Sequence, residues 1–238
     1  MKRLYAMILG CALPALAAPE VKPPVALAPA KEQPKDSAKE AKPTVTPEAA
    51  VAMKRLAEKF SGVKTVQTSF VQEKSLALFD QKMVMKGKIA LESNGRFAWR
   101  VTEPVRYTLV MTGTKLKQWD EDSAKVQEIS MTSNPVFQAV FTQLQCWFSG
   151  RFQDLARDFS VSLVKEKPLT LAFVPKSAAA GKAVKQVTVV LRDDERYVSE
   201  IKIEEAGGDE TVMTFHDTVL NDVNPIPAAT WEAKPDGR

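Results

Sequence analysis

The side chains that most often carry chemistry in enzymes are scarce in this sequence. Its 238 residues include one histidine, His216, and two cysteines, Cys11 and Cys146. Histidine-based triads and clusters of soft metal ligands need more of these residues than the chain supplies. The sequence also contains neither a GxxxxGK[ST] nor a GxGxxG phosphate-binding loop. We therefore expect a binding protein, not an enzyme, without catalytic residues, a metal site or a cofactor.

A different kind of site is indicated by large apolar side chains at every second position between residues 83 and 111. This alternation is typical of half-buried antiparallel strands, in which neighbouring side chains point to opposite faces. By the same rule, Arg96 and Arg100 point away from the apolar face. The residues expected to share that face and to line a binding cavity are Met83, Met85, Ile89, Leu91, Phe97, Trp99, Val101, Tyr107, Leu109 and Met111.

The same pattern also suits an ordinary dry core, because any β protein with a covering helix buries large side chains in its sheet. Taken alone, the alternation favours the dry core over a ligand cavity. We assign no site role to Trp119, Trp231, Cys146 or His216, and expect Cys146 to behave as a small buried hydrophobic residue.

A strongly apolar helix is predicted after these strands. Asn134 can cap the helix, Pro135 can take its first position, and Gly150 ends it. Its large residues recur at steps of three and four, which places them on one side. Such a helix in a β protein must cover something, and the apolar face of the sheet is the expected surface. The residues assigned to this lid are Phe137, Val140, Phe141, Leu144, Trp147 and Phe148.

The rest of the domain is predicted to be an antiparallel meander with helices 47–61 and 134–158 packed over one side. Thr46 can cap the first helix, with Pro47 at its first position and Val51, Leu56 and Phe60 on its apolar stripe. The second helical region divides into the lid and a short helix at 151–158. Strands are expected at 64–74, 81–92, 95–102, 106–112, 115–120, 125–131, 159–165, 168–175, 184–191, 196–205 and 210–219.

Residues 1–17 have the composition of a cleaved secretory signal peptide. Lys2 and Arg3 precede the mostly apolar residues 4–13, and residues 15–17 form a small-x-small cleavage site. The alternative is a lipobox that anchors the protein through Cys11, but it leaves an apolar region of only about seven residues. Cleavage after Ala17 is favoured, so we expect a periplasmic protein.

Residues 18–46 are expected to form a disordered linker, and residues 47–238 a single folded domain. The linker is rich in proline, alanine and lysine and has no aromatic residue, so it cannot bury enough apolar surface to fold. The formal net charge is +4, and it falls by two when Lys2 and Arg3 are removed. So small a charge argues against nucleic acid as a partner.

Several short motifs, in this order and spacing, make the chain similar to the LolA family of periplasmic lipoprotein carriers. The family's F-x-Q-x-K step corresponds to Phe70, Gln72 and Lys74, and its F-x-W step to Phe97 and Trp99. Gly87 within a strand, Pro104 after the F-x-W step, and the helix start at 134–137 also match. The resemblance extends over about residues 48–232.

The resemblance implies an unclosed antiparallel β half-barrel of about eleven strands, covered by two or three helices around a hydrophobic cavity. It also implies that acylated lipoproteins are received from an inner-membrane ABC lipoprotein-release transporter and passed to an outer-membrane acceptor. With the resemblance, the ligand cavity is favoured over the dry core. We expect the carrier to act as a monomer.

Two departures from the family pattern bear on this expectation. The basic residue that latches the lid in well-studied carriers corresponds here to Ser93, so we do not transfer that latch. The proline-rich linker is longer than the family's usual amino terminus. Two alternatives stay open: a related carrier of a free lipid, glycolipid or polyene, and an envelope-stress sensor that binds acylated or unfolded partners.

Overall fold

The computed structural model describes residues 44–78, 82–130 and 135–234, with the backbone alone for residues 130 and 135–141. The predicted signal peptide, Cys11 and the linker up to residue 43 therefore lie outside the described residues. In chain order the elements are α1 (Pro47–Phe60), β1 (Thr65–Ser75), β2 (Lys82–Glu92), β3 (Phe97–Glu103), β4 (Tyr107–Thr112), β5 (Lys115–Asp120), β6 (Val126–Ser130), α2 (Pro135–Phe148), α3 (Phe152–Leu155), β7 (Phe159–Glu166), β8 (Leu169–Pro175), α4 (Ala178–Gly181), β9 (Val184–Leu191), β10 (Val198–Glu205), β11 (Glu210–Leu220) and a 3₁₀ helix (Ala228–Trp231).

The eleven strands of the described residues join one antiparallel sheet in the order β6-β5-β4-β3-β2-β1-β11-β10-β9-β8-β7. Two meanders, β1–β6 and β7–β11, meet where β1 pairs with β11. Strands β6 and β7 are the two edges of the sheet and do not pair with each other, so the sheet is unclosed. The predicted fold class, mainly β with a half-barrel sheet and covering helices, is confirmed.

Helix α1 begins where the sequence predicts. The side-chain oxygen of Thr46 accepts a hydrogen bond from the Ala49 amide at 3.3 Å, and a proline follows at the first helical position. The buried side of the helix consists of Ala49, Ala52, Met53, Leu56 and Phe60. Val51 is exposed, so its predicted place on the apolar stripe was wrong, and Met53 takes that place.

The end of the predicted linker is part of the folded domain. Val45 forms an isolated parallel bridge with Val161 on edge strand β7. The Thr46 amide donates to the Val161 carbonyl at 3.0 Å, and the Val161 amide donates to the Thr44 carbonyl at 2.8 Å. The expected linker boundary at residue 46 therefore needs correction, because residues 44–46 satisfy part of the open edge of β7.

The sheet buries side chains on both faces, and we call these the inner and the outer face. The inner face carries the main hydrophobic cluster, which also includes residues of α1, α2 and α3, as predicted for helices packed on one side. The outer face carries a smaller cluster beneath the C-terminal residues 226–234, which we call the outer strap. That cluster consists of Ala90, Ala98, Val110, Trp119, Ile226, Trp231 and Ala233.

Arg100 fastens the outer strap to strand β3. Its side chain is only 6% exposed, and its guanidinium donates to four strap carbonyls. Arg96 lies over the Trp231 ring, 4.2 Å from its centroid. Both arginines therefore point away from the inner face, as the alternation predicts. The acceptors of Arg100 are the carbonyls of Ala229, Thr230, Glu232 and Lys234, at 2.8, 3.2, 2.7 and 2.8 Å.

Two short elements were not predicted, namely α4 and the 3₁₀ helix of the outer strap. Ser177 caps α4 by accepting a hydrogen bond from the Ala180 amide at 3.1 Å. No helix within the described residues has both the length and the apolar character needed to span a bilayer.

Candidate functional site

Strand register brings the predicted cavity residues of β2, β3 and β4 into rows across the inner face. Leu91 lies opposite Phe97, which lies opposite Met111. In the next row, Ile89 pairs with Trp99 and Trp99 with Leu109; Val101 and Tyr107 pair one step further along. Directly opposed side chains in an antiparallel pair have Cβ atoms about 4.5–5.5 Å apart. The rows therefore form one continuous apolar surface.

Burial varies along this surface. Met85, Ile89, Leu91, Phe97, Trp99, Tyr107 and Met111 are buried, whereas Val101 and Leu109 are partly buried. Met83, near the start of β2, is 39% exposed. The apolar face thus runs from a covered centre to an end that solvent reaches. Whether these residues contact a ligand stays a prediction.

A glycine inside strand β2, Gly87, makes room for the Phe70 side chain on the inner face. The two residues are directly paired, and the Phe70 ring atoms lie 2.7 and 2.8 Å from the position that a Gly87 Cβ would occupy. The same Phe70 ring lies 5.0 Å from the Trp99 ring, centroid to centroid. A glycine at position 87 therefore lets the aromatic ring of β1 lie across β2 and reach the aromatic row of β3.

The C-terminal half of lid helix α2 packs onto the inner face. Leu144, Trp147 and Phe148 are buried in the main cluster, together with Cys146. The Phe148 ring meets the Phe215 ring of β11 edge to face, with 5.3 Å between centroids. Phe137, Val140 and Phe141 belong to the same helix, but their side chains lie outside the described residues.

The base of the lid is fixed by aromatic packing around Gly150. Gly150 has a φ of +70°, and the Phe60 side chain fills the space where its Cβ would lie. Phe60 also contacts Phe152 of α3 edge to face at 6.3 Å, and Phe152 stacks on Phe173 of β8 at 6.3 Å. Helix α1 and α3 therefore hold the C-terminal end of α2 against the sheet.

The region of the expected lid latch is built differently here. Ser93 donates its backbone amide to the Lys64 carbonyl at 2.8 Å, within the turn between β2 and β3. The Gln145 side chain of the lid approaches this turn, with its amide nitrogen 3.4 Å from the position of a Gly95 Cβ. Arg96 forms an ion pair with Glu92 at 3.5 Å and packs on the Trp231 ring of the outer strap. Its guanidinium therefore interacts with the outer face and not with the described part of the lid.

The second half of the inner face was missed by the sequence analysis. Strands β8 to β11 contribute more buried apolar side chains to the main cluster than β2 to β4 do. Alternation in residues 184–191 could have identified them, since Val187, Val189 and Leu191 recur at every second position. The clearest members of this set are Leu171, Phe173, Val187, Val189, Leu191, Ile201, Ile203, Met213 and Phe215.

The motif residues of β1 lie at the centre of the site. Phe70 and Gln72 are buried on the inner face, and Lys74 lies on the same face near the end of the strand. The Lys74 ammonium pairs with Glu205 at 2.7 Å, which neutralises its charge beside the apolar surface. The F-x-Q-x-K motif therefore joins the two meanders at the middle of the sheet.

The remaining reactive side chains lie apart from any common centre. Cys146 is buried, and burial raises the pKa of its thiol. His216 is half exposed, and its Nδ1 lies 2.8 Å from an Asp217 carboxylate oxygen. Within the described residues, no group of three or more histidine, cysteine, aspartate or glutamate side chains is placed to hold a metal ion.

Comparison of the whole domain with known structures finds similar folds at low identity. A LolA superfamily protein from Nitrosomonas europaea is 11% identical, with a TM-score of 0.38, over 76% of this chain and 97% of that chain. The MucA/MucB complex of Pseudomonas aeruginosa is 16% identical, with a TM-score of 0.45, over 77% of this chain and 60% of that chain. The lipoprotein LppX of Mycobacterium tuberculosis is 13% identical, with a TM-score of 0.43, over 76% of this chain and 99% of that chain. These likenesses are too distant to assign a function.

Sequence comparison is more informative. An outer-membrane lipoprotein carrier protein of Bordetella pertussis is 27% identical over 189 residues, which cover 79% of this chain and 84% of that protein. The family model described as outer membrane lipoprotein carrier protein LolA matches residues 61–225, from the end of α1 to the start of the outer strap. Because this match covers well over half of the chain, the protein belongs to the LolA family.

Proposed function

We propose that this protein is a periplasmic carrier that shields the acyl chains of lipoproteins between the inner and the outer membrane. The observation that carries the proposal is the continuous apolar inner face beneath a helix whose C-terminal end packs against the sheet. Strands β2 to β4 supply the aromatic and aliphatic rows, and α2 covers the same face from above. Family membership supports the same function.

The physical need for such a carrier is large. Exposing an acyl chain of about 16 carbons to water costs on the order of 12 kcal/mol, at about 0.8 kcal/mol for each methylene. A protein that moves such chains through water must therefore cover them almost completely. Met85 and Met111 suit this role, because the flexible thioether side chain adapts to the shape of its neighbours.

Acyl chains enter the site, on this proposal, when the lid moves away from the sheet. The packing of Phe148 on Phe215 and of Phe60 on Gly150 supports a lid that stays attached at its C-terminal end. Apolar contacts of Leu144 and Trp147 with the inner face then hold the empty form closed. An entering acyl chain replaces these contacts with others of the same kind, so opening requires no chemical step.

Cargo transfer is noncovalent on this proposal, and we expect no catalysis and no cofactor. The partners are an inner-membrane ABC transporter, which supplies the acylated lipoprotein, and an outer-membrane acceptor, which removes it. The carrier acts as a monomer, because an inner face closed by its own lid leaves no need for a second copy.

Native mass spectrometry of the protein isolated from its own periplasm tests the proposal. Organic extraction of the same sample identifies whatever is bound. Acylated protein in the complex is the expected result. A bound free lipid, glycolipid or polyene would replace lipoprotein transport with lipid transport on the same fold. A protein that is empty and also fails to bind added acyl ligands would contradict the proposal and favour a sensor of partner proteins.

A further inference from the structure

Two polar atoms on lid helix α2 are buried without a hydrogen-bond partner among the described residues. They are the indole nitrogen Nε1 of Trp147 and the amide oxygen Oε1 of Gln143. The Trp147 side chain is 3% exposed, so solvent does not reach its N–H group. A buried donor or acceptor without a partner destabilises the fold, and native proteins contain few of them. Such groups therefore call for an explanation.

Both atoms lie on the side of the lid that faces the sheet. Residues four apart on an α-helix lie about 40° from each other around its axis, because each residue advances about 100°. Leu144 and Cys146, which lie on either side of this pair around the helix, are buried in the main cluster. Gln145, almost directly opposite the pair, is partly exposed, and Thr142 on the neighbouring flank is exposed. Gln143 and Trp147 thus present one acceptor and one donor to the inner face.

The combination of donor and acceptor is what distinguishes this pair. Trp231 also has a buried Nε1 atom without a partner in the described part of the chain, but it lies in the outer strap beneath Arg96. That indole belongs to the permanent outer cluster. The lid pair, in contrast, lies on the surface where, on the proposed function, cargo replaces the apolar contacts of the empty form.

We propose that Gln143 and Trp147 bind the secondary amide of an acyl chain attached through an amide bond. The Trp147 N–H donates to the amide carbonyl, and Gln143 Oε1 accepts from the amide N–H. An ester offers acceptors alone and leaves Gln143 without a partner. The inference rests on the proposed function, since it requires an acyl chain on the inner face, and it adds the chemical group that this site selects.

Three short probes that differ at one group test the inference. N-methyldodecanamide has both a carbonyl and an N–H, whereas N,N-dimethyldodecanamide and methyl dodecanoate have a carbonyl alone. Affinity is measured with the full chain by displacement of 1-anilinonaphthalene-8-sulfonate. The variants are Trp147→Phe, which removes the indole N–H, and Gln143→Met, which removes the amide at similar volume. Trp231→Phe is the matched control, because it removes an equally buried indole N–H from the outer face.

The preference for N-methyldodecanamide over the ester is compared between proteins, so differences in probe hydration cancel. We expect Gln143→Met to reduce this preference about fivefold, the value of one net hydrogen bond between neutral groups. Trp147→Phe should weaken binding of every carbonyl-containing probe by a similar factor, and Trp231→Phe should change neither quantity. If Trp147→Phe does not fold, Gln143→Met tests the preference by itself.

Two other outcomes overturn the inference, and they differ in what they say about the proposed function. If the probes bind, but both lid variants keep the wild-type affinities and preference, the amide assignment is wrong and the acyl-binding function stands. If no probe displaces the dye and none binds in native mass spectrometry, the proposed function fails and the amide assignment fails with it.

Discussion

Replacement of Arg100 by methionine tests whether the outer strap is part of the fold. The guanidinium is almost completely buried and donates to four carbonyls of residues 229–234. Methionine replaces the aliphatic stem of the arginine and has no donor, so the substitution leaves these carbonyls without their charged partner. The Trp231 ring and the small outer cluster remain, but they lose the bonds that hold the backbone of the strap against β3.

The expected loss follows from the number and kind of these bonds. A hydrogen bond to a charged group contributes about 1.5–3 kcal/mol, and Nη2 shares two N–H groups among three carbonyls, so at most three full bonds are counted. Burying the guanidinium charge offsets part of their sum. We expect Arg100→Met to lower the free energy of unfolding by about 3 kcal/mol, a large share of the ~5–15 kcal/mol typical of native proteins.

Equilibrium unfolding in urea, followed by tryptophan fluorescence, measures this loss. Arg192→Met is the control, because that guanidinium is exposed and its 3.0 Å bond to the Tyr197 hydroxyl is at the surface. We expect the control to stay within about 0.5 kcal/mol of the wild type. Hydrogen exchange of residues 226–234 should become faster in Arg100→Met. A loss below about 1 kcal/mol with unchanged exchange would refute the role given to Arg100.

Four further predictions test the inner face, the lid base, the ion pairs of Glu195 with Arg55 and Lys59 of α1, and the buried thiol. Met83→Glu should weaken binding of an acyl probe about fivefold or more in dye displacement. Val84→Glu is the control and should not weaken it, because the two neighbours are similarly exposed, at 39% and 43%, but lie on opposite faces of the sheet. Equal effects would disprove the assignment of the faces. Gly150→Ala should lower the free energy of unfolding by about 1–3 kcal/mol in urea, since its φ is +70° and an aromatic side chain of α1 fills the adjacent space; an unchanged midpoint would contradict this. Burial raises the pKa of the Glu195 carboxyl, but hydrogen bonds from Arg55 and Lys59 outweigh this effect, so the pKa is lowered. Glu195→Gln should therefore lower the free energy of unfolding by about 1 kcal/mol at pH 7. The difference from the wild type should disappear as the pH falls through the depressed carboxyl pKa, and a difference that persists in acid would contradict the role of these ion pairs. Cys146 should react slowly with a maleimide at pH 8, because it is buried and its thiol pKa is raised, and faster once an acyl ligand displaces the lid; a reaction as fast as in urea would contradict its burial.

Much of the fold could be predicted because local pattern and tertiary environment agree. Strand β9 (Val184–Leu191) buries every second residue from Val187 to Leu191, and its predicted limits were correct. Helix α1 carries its own start signal in Thr46 and Pro47. Val51 was misassigned because apolar character alone does not show which side of a short helix meets the sheet. The side was decided by contacts with β7 and α3, which are distant in sequence.

The outer strap could not be predicted, because its structure depends on partners more than 100 residues away. Residues 221–234 contain neither a period of two nor a helical stripe, and Arg100 has no sequence feature that distinguishes it from an exposed arginine. Only the pairing of β3 with its neighbours brings Arg100 beneath the strap carbonyls. The half of the inner face formed by β8 to β11 was within reach of the sequence, since those strands alternate clearly, but the site was assigned from the alternation between residues 83 and 111 alone.

The seam between β1 and β11 has a consequence for how the chain folds. Each meander pairs strands that follow one another in sequence, so its hairpins can form locally, whereas the seam joins residues such as Thr68 and His216, 148 positions apart. Long-range pairing of this kind forms late and slows folding. Until β11 is available, β1 remains an unpaired edge with large apolar side chains, which is a template for aggregation. The protein is therefore most prone to aggregation in the interval before its last strands are available for pairing.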